Sequence, residues 1–406
     1  MWHNEGGKTK KMHNEHFSRN KVRLVSFVAF LLGFLDAFLI YILSAYFSQV
    51  TGNDNVGVFY FVAYSIVLVS LFYLQPLIRT IGKARALYLS LGIAILACAL
   101  LTRLPVGWLS VGIVLVFMVA TNVLWVTLDI LLESFSQDRM SGRIRGFYLM
   151  IMNAGILAAP FLSTLTLERS SYEGVFFILI IGYTLVFLIT LLGFRNDNAV
   201  FQEKLRLRQT IAKMLRERNL LRIYQISFAM EFFYAMMIVY TPLYLRSLDF
   251  SWNEIGMMFT LMLVPFIILQ YPLGILADKR FGEKELLVGS IFIVLVSTAA
   301  LGFIDGAGFW VWAGVLFLTR IGAAGIEVLR DSYFYKQIDG DRMDVIAFFR
   351  TARPIANIVG ALFSIVLLLF FPLQSIFVMV AVVLLFSLFT AFSLKDTRSE
   401  LELGVR

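Results

Sequence analysis

The sequence predicts an all-α polytopic membrane protein in which twelve transmembrane helices form two pseudo-symmetric six-helix bundles. Three observations lead to this fold class. Hydrophobic residues make up 59% of the chain and the mean hydropathy is +0.81, which lies outside the range of water-soluble domains of this length. Twelve apolar segments are long enough to span a bilayer. The second half of the chain also repeats residues of the first half at a nearly constant offset.

The composition excludes several classes of protein. The single cysteine, Cys98, lies in an apolar run, so we expect neither a disulfide nor a cysteine-based metal site. The three histidines, His3, His13 and His16, lie in the polar N-terminal tail, which excludes a membrane enzyme built on histidine boxes. The sequence also has no P-loop motif. We therefore expect no enzyme activity, no cofactor and no metal.

The predicted spans alternate with short polar connections of the kind expected between antiparallel helices. The spans of the first half cover residues 24–47, 57–79, 85–102, 108–134, 144–166 and 173–194. The spans of the second half cover residues 223–245, 254–277, 285–304, 308–335, 344–370 and 373–393.

Basic residues determine the predicted orientation. Of the 35 Lys and Arg residues, only Arg103, Arg169 and Arg246 lie at one membrane face, while most of the others lie in the tails and loops of the opposite face. Lysine and arginine are enriched in cytoplasmic loops. The bias predicts a multi-pass cell membrane protein with both termini in the cytoplasm. The net charge of +8 is explained by this topology and gives no reason to expect a nucleic acid partner.

These boundaries predict two tails, two bundles and one linker, in the order 1–22, 23–194, 195–222, 223–393 and 394–406. The linker over 195–222 is basic and has the pattern of an amphipathic helix at the headgroup level of a bilayer. We expect it to join the bundles and to contact membrane lipid, including anionic lipid; a regulatory partner site is the alternative. We expect the protein to be a monomer.

The two halves match in the fourth and tenth spans, where the offset is 198 residues. At this offset Asn122, Asp129 and Glu133 of the first half fall on Arg320, Glu327 and Asp331 of the second. The first half keeps the acidic residues but has asparagine where the second half has arginine. The two copies therefore differ in charge, which suggests that they have different roles.

Charged residues of the tenth and eleventh spans, together with Asp129 and Glu133, form a predicted lattice within the membrane. Each charge at such depth costs about 2.5–3.5 kcal/mol on insertion scales. A helical rise of about 1.5 Å per residue places Arg353 at the depth of Glu327 and Arg350 at the depth of Asp331. We therefore expect the pairs Glu327–Arg353 and Asp331–Arg350. The lattice is either a static brace or a coupling site that exchanges partners during transport.

Asp36 is the leading candidate for proton binding. It lies about 20 Å along a helix from Arg23, near the middle of a bilayer. No basic residue is adjacent to it in sequence, and a lone carboxylate in a medium of low dielectric can bind a proton near neutral pH. Glu327 and Glu231 are the second candidates, although Glu231 could instead be a buried acid paired with an arginine.

The loop between the eighth and ninth spans contains a motif. The chain reads Gly274-Ile-Leu-Ala-Asp278-Lys-Arg280-Phe-Gly282-Glu-Lys284, which is similar to the cytoplasmic loop signature G-x-L-x-D-R-x-G-R-K of the major facilitator superfamily. Gly274 would let helices approach, Asp278 would accept amide hydrogen bonds from the other half, and Gly282 would permit the turn. The equivalent loop of the first half lacks the aspartate.

The fifth span contains a second motif. Arg145-Gly146, followed by Asn153-Ala-Gly155 and Pro160, resembles the R-G pattern and small-residue helix of the same family. The resemblance extends over nearly the whole chain. It implies two bundles that rock about a central site lined by the first, fourth, seventh and tenth spans.

If these spans line the site, their polar side chains are the candidates for substrate contact. The predicted substrate cavity contains Asp36, Asn122, Trp125, Asn153, Tyr234, Arg320 and Asn357. Arg320 could neutralise an acidic residue in one state of the protein or hold an anionic substrate.

We predict a secondary active transporter that moves a small molecule by alternating access and is coupled to protons. Intramembrane acids together with many aromatic residues favour efflux of amphipathic or cationic compounds by proton antiport. Proton-coupled uptake of a sugar or small metabolite is the alternative. A protein of the same fold that does not transport, acting as an assembly factor or sensor, is the alternative from another class.

Overall fold

The computed structural model describes residues 18–135, 141–195, 217–304, 306–337 and 348–395. The predicted N-terminal tail, linker and C-terminal tail lie mostly outside these residues. The side chains of Glu133, Arg145 and Asp278 also lie outside the described part of the chain.

The described chain is helical throughout, with short connections. The helices are α1 (Arg19–Thr51), α2 (Gly57–Ile81), α3 (Lys83–Leu101), α4 (Trp108–Phe135), α5 (Ser141–Gly193), α6 (Arg218–Ser247), α7 (Trp252–Leu276), α8 (Gly282–Leu301), α9 (Phe309–Lys336), α10 (Ala352–Leu367) and α11 (Ser375–Phe392).

Within the described residues, ten helices are long and apolar enough to cross a membrane, and the apolar part of α2, Gly57–Leu71, is shorter. The protein is therefore an all-α, multi-pass integral membrane protein. Twelve spans in two six-helix bundles stay a prediction.

The two spans predicted over 144–166 and 173–194 belong to one helical element, α5. Ser171 interrupts this element with φ 55° and ψ −168°. A positive φ is uncommon for a residue other than glycine, and it breaks the helical hydrogen-bond ladder. Ser171 therefore separates a first arm over 141–170 from a second arm over 172–193.

Local sequence explains where several helices begin and end. The Ser251 hydroxyl accepts a hydrogen bond from the Glu254 amide at 3.2 Å, and the Glu254 carboxylate accepts one from the Ser251 amide at 2.8 Å. This capping box starts α7. At the C-terminal end of α1, Gly52 terminates the helix in the left-handed conformation with φ 65°.

Successive helices run in opposite directions, which defines two faces of the protein. The terminal face contains the start of α1 at Arg19 and the end of α11 at Phe392, and the opposite face contains the connection 52–56. The loop with the family motif lies at the terminal face. There α7 continues into a π-helical turn, Ala277–Phe281, and Gly282 leaves it with φ 72°.

Glycines permit close packing of α1 against the first arm of α5. A Cβ atom at Gly155 would lie 2.0 Å from the backbone oxygen of Phe30, and one at Gly33 would lie 2.7 Å from the backbone oxygen of Met152. No other residue type fits at such a separation without moving a helix. Gly274, in contrast, would place a Cβ 3.7 Å from Val328, which is ordinary contact and does not require glycine.

Two further glycines join the halves of the chain in matched positions near the opposite face. A Cβ at Gly57 of α2 would lie 2.9 Å from the hydroxyl of Ser364 in α10, and one at Gly256 of α7 would lie 2.0 Å from that of Thr164 in α5. The two glycines are equivalent in the sequence repeat, and so are Thr164 and Ser364. The repeat therefore has a counterpart in the packing of the described helices.

Candidate functional site

A central cavity of about 230 Å³ lies between the two halves of the chain. Helices of both halves contribute to its wall, namely α1, α2, α4 and α5 from the first half and α6, α7, α9 and α10 from the second. All the residues of the predicted substrate cavity line it: Asp36, Asn122, Trp125, Asn153, Tyr234, Arg320 and Asn357. Their part in binding a substrate stays a prediction.

Three acidic side chains, Asp36, Glu231 and Glu327, face this cavity together with Arg320 and Arg353. Both signs of charge are therefore present, contributed by both halves. The placement follows from helix periodicity, because residues three, four and seven apart share one face of a helix.

Arg330 forms the centre of a buried ion cluster beside the cavity. Its guanidinium donates to the Glu231 carboxylate at 3.2 Å and to the Asp331 carboxylate at 3.0 Å. It also donates to the Ser227 hydroxyl at 3.4 Å. For Glu231 the sequence leaves two alternatives open, a proton-binding group or a buried acid paired with an arginine, and in the structure Arg330 is its partner.

The predicted pair Asp331–Arg350 is wrong. Asp331 is bonded to Arg330 of its own helix, and Arg350 donates to the carboxylate of Asp129 in α4. Depth along a helix fixes the height of a side chain but not the direction in which it points. Arg350 is directed towards the first half, so its ion pair joins the two halves on the terminal side of the cavity.

The predicted pair Glu327–Arg353 is also wrong. The Glu327 carboxylate accepts a hydrogen bond from the Gln270 amide nitrogen at 2.7 Å, and the Gln270 oxygen accepts one from the amide nitrogen of Asn153 at 3.2 Å. This chain of hydrogen bonds connects α9, α7 and α5, and so links a cavity carboxylate to a contact between the halves.

Asp36 is not the lone carboxylate that its sequence surroundings suggest. Arg353 of α10 lies close enough to act on it electrostatically, and the Trp125 indole lies within hydrogen-bonding reach. Arg353 is exposed and lines the cavity, with Tyr64 beside it. A basic partner from a distant part of the chain is invisible to an argument from neighbouring residues.

Arg320 is almost fully buried, with 2% of its surface exposed. Its guanidinium carbon lies 5.1 Å from the ring centre of Phe233 and 5.6 Å from that of Tyr234. Among the described residues, its Nε and Nη1 atoms have no hydrogen-bond partner. This cation therefore differs from Arg330 and Arg350, which both hold carboxylates.

The two asparagines of the cavity are tied to their own helices. The side-chain nitrogen of Asn122 donates to the Met118 backbone oxygen at 2.8 Å, and that of Asn357 donates to the Arg353 backbone oxygen at 2.9 Å. Asn122 occupies the repeat position of Arg320. The first half therefore presents a neutral group where the second half presents a cation.

A charged cavity enclosed by membrane-spanning helices of two repeated halves is an arrangement that secondary transporters share. The family model of the Major Facilitator Superfamily matches residues 25–253 and 246–404. The chain belongs to this superfamily, as its loop motif suggested, and in general class it is a secondary transporter rather than an enzyme.

Comparison with solved structures supports the same fold. The chain is similar to a peptide transporter, POT, whose crystal structure is in complex with sulfate, with a TM-score of 0.68 and 11% sequence identity. The similarity covers 92% of this chain and 93% of that one. A comparison with curated proteins finds no match.

Proposed function

We propose that the protein is a proton-coupled secondary transporter of a small polar metabolite, with Glu327 as the group that binds the proton. The hydrogen-bond chain from Asn153 through Gln270 to Glu327 is the observation that carries this proposal. It connects a titratable group in the cavity to a contact that must change when the two halves of the chain move.

Glu327 suits this role better than Asp36. The hydrogen bond described for Glu327 comes from a neutral amide, whereas the guanidinium of Arg353 acts electrostatically on Asp36. An ionised carboxylate is costly to bury without a cation, and a proton removes that cost. Arg330 is one helical turn from Glu327 and acts on it electrostatically, but its guanidinium is bonded to Glu231 and Asp331.

Contacts at the two faces support alternating access. Near the opposite face, Gly57 and Gly256 are tightly packed against the other half. On the terminal side of the cavity, Asp129 and Arg350 form an ion pair between the halves. We propose that one set of contacts forms when the other breaks during transport. The halves that move are the bundles 23–194 and 223–393, and the terminal face is cytoplasmic. A basic linker over 195–222 would then join the bundles at the anionic lipid surface of the cell membrane.

Efflux of amphipathic or cationic compounds is the second candidate function. The carboxylates of Asp36, Glu231 and Glu327 favour it, because all three line the cavity. Against it, Glu231 is held by Arg330, and Arg320 presents a buried positive charge to the same space. A cation would have to approach that charge, so uptake or exchange of a small metabolite fits the cavity better.

Reconstitution tests the proposal. Purified protein in liposomes should accumulate one or more members of a panel of labelled metabolites when a pH gradient is imposed. Glu327→Gln should still exchange that compound across the membrane but should lose the response to the gradient. Glu285→Gln, a change at an exposed position of α8, is the matched control and should behave as the natural protein. Gradient-driven transport by Glu327→Gln at the natural rate would refute the role of this residue.

A further inference from the structure

We infer that Arg320 binds an anionic group of the substrate, so that the cavity selects small organic carboxylates over neutral or cationic compounds of the same shape. This inference rests on the proposed function and adds the chemical class of the substrate.

Arginine stays protonated in proteins, so Arg320 keeps its charge although only 2% of its surface is exposed. Its Nε and Nη1 donors have no partner among the described residues. Buried donors of this kind are normally satisfied, and a charged one that is not requires an explanation. An anionic ligand bound in the cavity that this side chain lines would compensate the charge and so provides one.

Within the described part of the chain no ion pair joins Arg320 to a carboxylate, and the hydroxyls of Tyr41 and Tyr234 act on its charge. The rings of Phe233 and Tyr234 contact the guanidinium by cation–π interaction, which offsets part of the cost of burial. The protein therefore stabilises the cation without supplying it with an anion.

Arg320, Tyr41 and Tyr234 all line the central cavity. A guanidinium offers paired N–H donors that match the two oxygens of a carboxylate. Asn122, the repeat equivalent of Arg320, lines the same cavity without a charge. The anion site therefore belongs to the second half alone, which gives a bound substrate a fixed direction across the cavity.

The inference is tested by the thermal unfolding midpoint of the purified protein with three probes of one shape. Phenylacetate is anionic, phenylacetamide is neutral and phenethylamine is cationic; acetate and succinate extend the anion series. We expect the anions to raise the midpoint, and the amide and the amine to require at least a tenfold higher concentration for the same shift.

Three variants make the result specific to Arg320. Arg320→Gln should lose the anion-dependent shift, and without ligand its midpoint should equal or exceed that of the natural protein, because an unpaired buried charge has been removed. Arg320→Lys should keep part of the shift. Arg85→Gln removes one positive charge at an exposed position of α3 and should change neither measurement.

The outcomes separate the inference from the function on which it rests. The inference is overturned if no anion shifts the midpoint, if the amine is preferred, or if Arg320→Gln unfolds several degrees lower yet responds to anions as before. Anion binding without gradient-driven flux in liposomes would keep the site and refute coupled transport. Coupled flux restricted to neutral or cationic compounds would keep the function and refute the site.

Discussion

Replacing Arg330 with glutamine should destabilise the protein strongly, because this guanidinium holds two carboxylates inside the membrane. Its side chain is 9% exposed, and those of Glu231 and Asp331 are each 18% exposed. Its nitrogen atoms lie 3.2 Å from a Glu231 carboxylate oxygen and 3.0 Å from one of Asp331. Two unit charges at these distances attract each other by about 5 kcal/mol at an effective dielectric constant of 20. Part of this is offset by the cost of removing the ions from water. Losing one partner of a buried pair commonly costs about 3–5 kcal/mol, and Arg330→Gln should fall in that range.

Glu231→Gln should cost less, about 1–2 kcal/mol, because Arg330 keeps Asp331 and the new amide oxygen still accepts a hydrogen bond. In the double mutant the two losses should not add. A coupling free energy of about 1–3 kcal/mol is expected for residues in one buried network. Arg85→Gln, at an exposed position of α3, should stay within about 0.5 kcal/mol of the natural protein.

The assay is denaturant unfolding of the natural protein and the four variants in one detergent, monitored by tryptophan fluorescence. A double-mutant cycle then gives the coupling energy. If Arg330→Gln lies within the range of the surface control, or if the single losses add, the cluster does not stabilise the fold and the reasoning from its geometry is refuted.

Three further changes test other parts of the molecule. Asp129→Asn should lower the free energy of unfolding by only about 1 kcal/mol, since the side chains of Asp129 and Arg350 are partly exposed. The same change should widen the distance between spin labels at the terminal face. An unchanged distance distribution would mean that the pair does not hold that face closed. Asp36→Asn should keep its response to a pH gradient in liposomes while Glu327→Gln loses it, and the reverse result would restore Asp36 as the proton-binding residue. Gly155→Leu should abolish folding or lower the free energy of unfolding by at least about 3 kcal/mol, because a Cβ there would lie 2.0 Å from a backbone oxygen of α1. A folded variant of natural thermal stability would show that α1 and α5 separate easily.

Most of the fold can be predicted from the sequence because a membrane admits few kinds of spanning structure. A lipid-exposed chain must satisfy its backbone hydrogen bonds internally, so long apolar segments become helices. The predicted span over 108–134 corresponds closely to α4, Trp108–Phe135. The break at Ser171 lies between the spans predicted over 144–166 and 173–194, but its form, one residue with a positive φ inside a single helical element, is not marked by a glycine at that position.

The candidate site is only partly readable. Helical periodicity brings Arg320 and Glu327 to the cavity, and the two-half architecture brings Asp36 opposite them. The partners of the charges are not predictable in this way. Arg350 bonds to Asp129, more than two hundred residues away along the chain, and this depends on how the two halves meet. Depth matching within one half cannot supply that information.

The central claim is that protonation of Glu327 shifts the protein between states in which opposite faces are closed. Spin labels at both ends of α3 and α8 measure this directly, with one pair at Arg85 and Glu285 and the other at Arg103 and Phe303. All four positions are exposed. The native Cys98 is buried and free, which favours labelling of the introduced cysteines.

The account predicts that lowering the pH changes the two distances in opposite directions, and that Glu327→Gln shows the low-pH distribution at every pH. Distances that do not change with pH in the natural protein, or a Glu327→Gln variant that keeps the natural pH response, would contradict it.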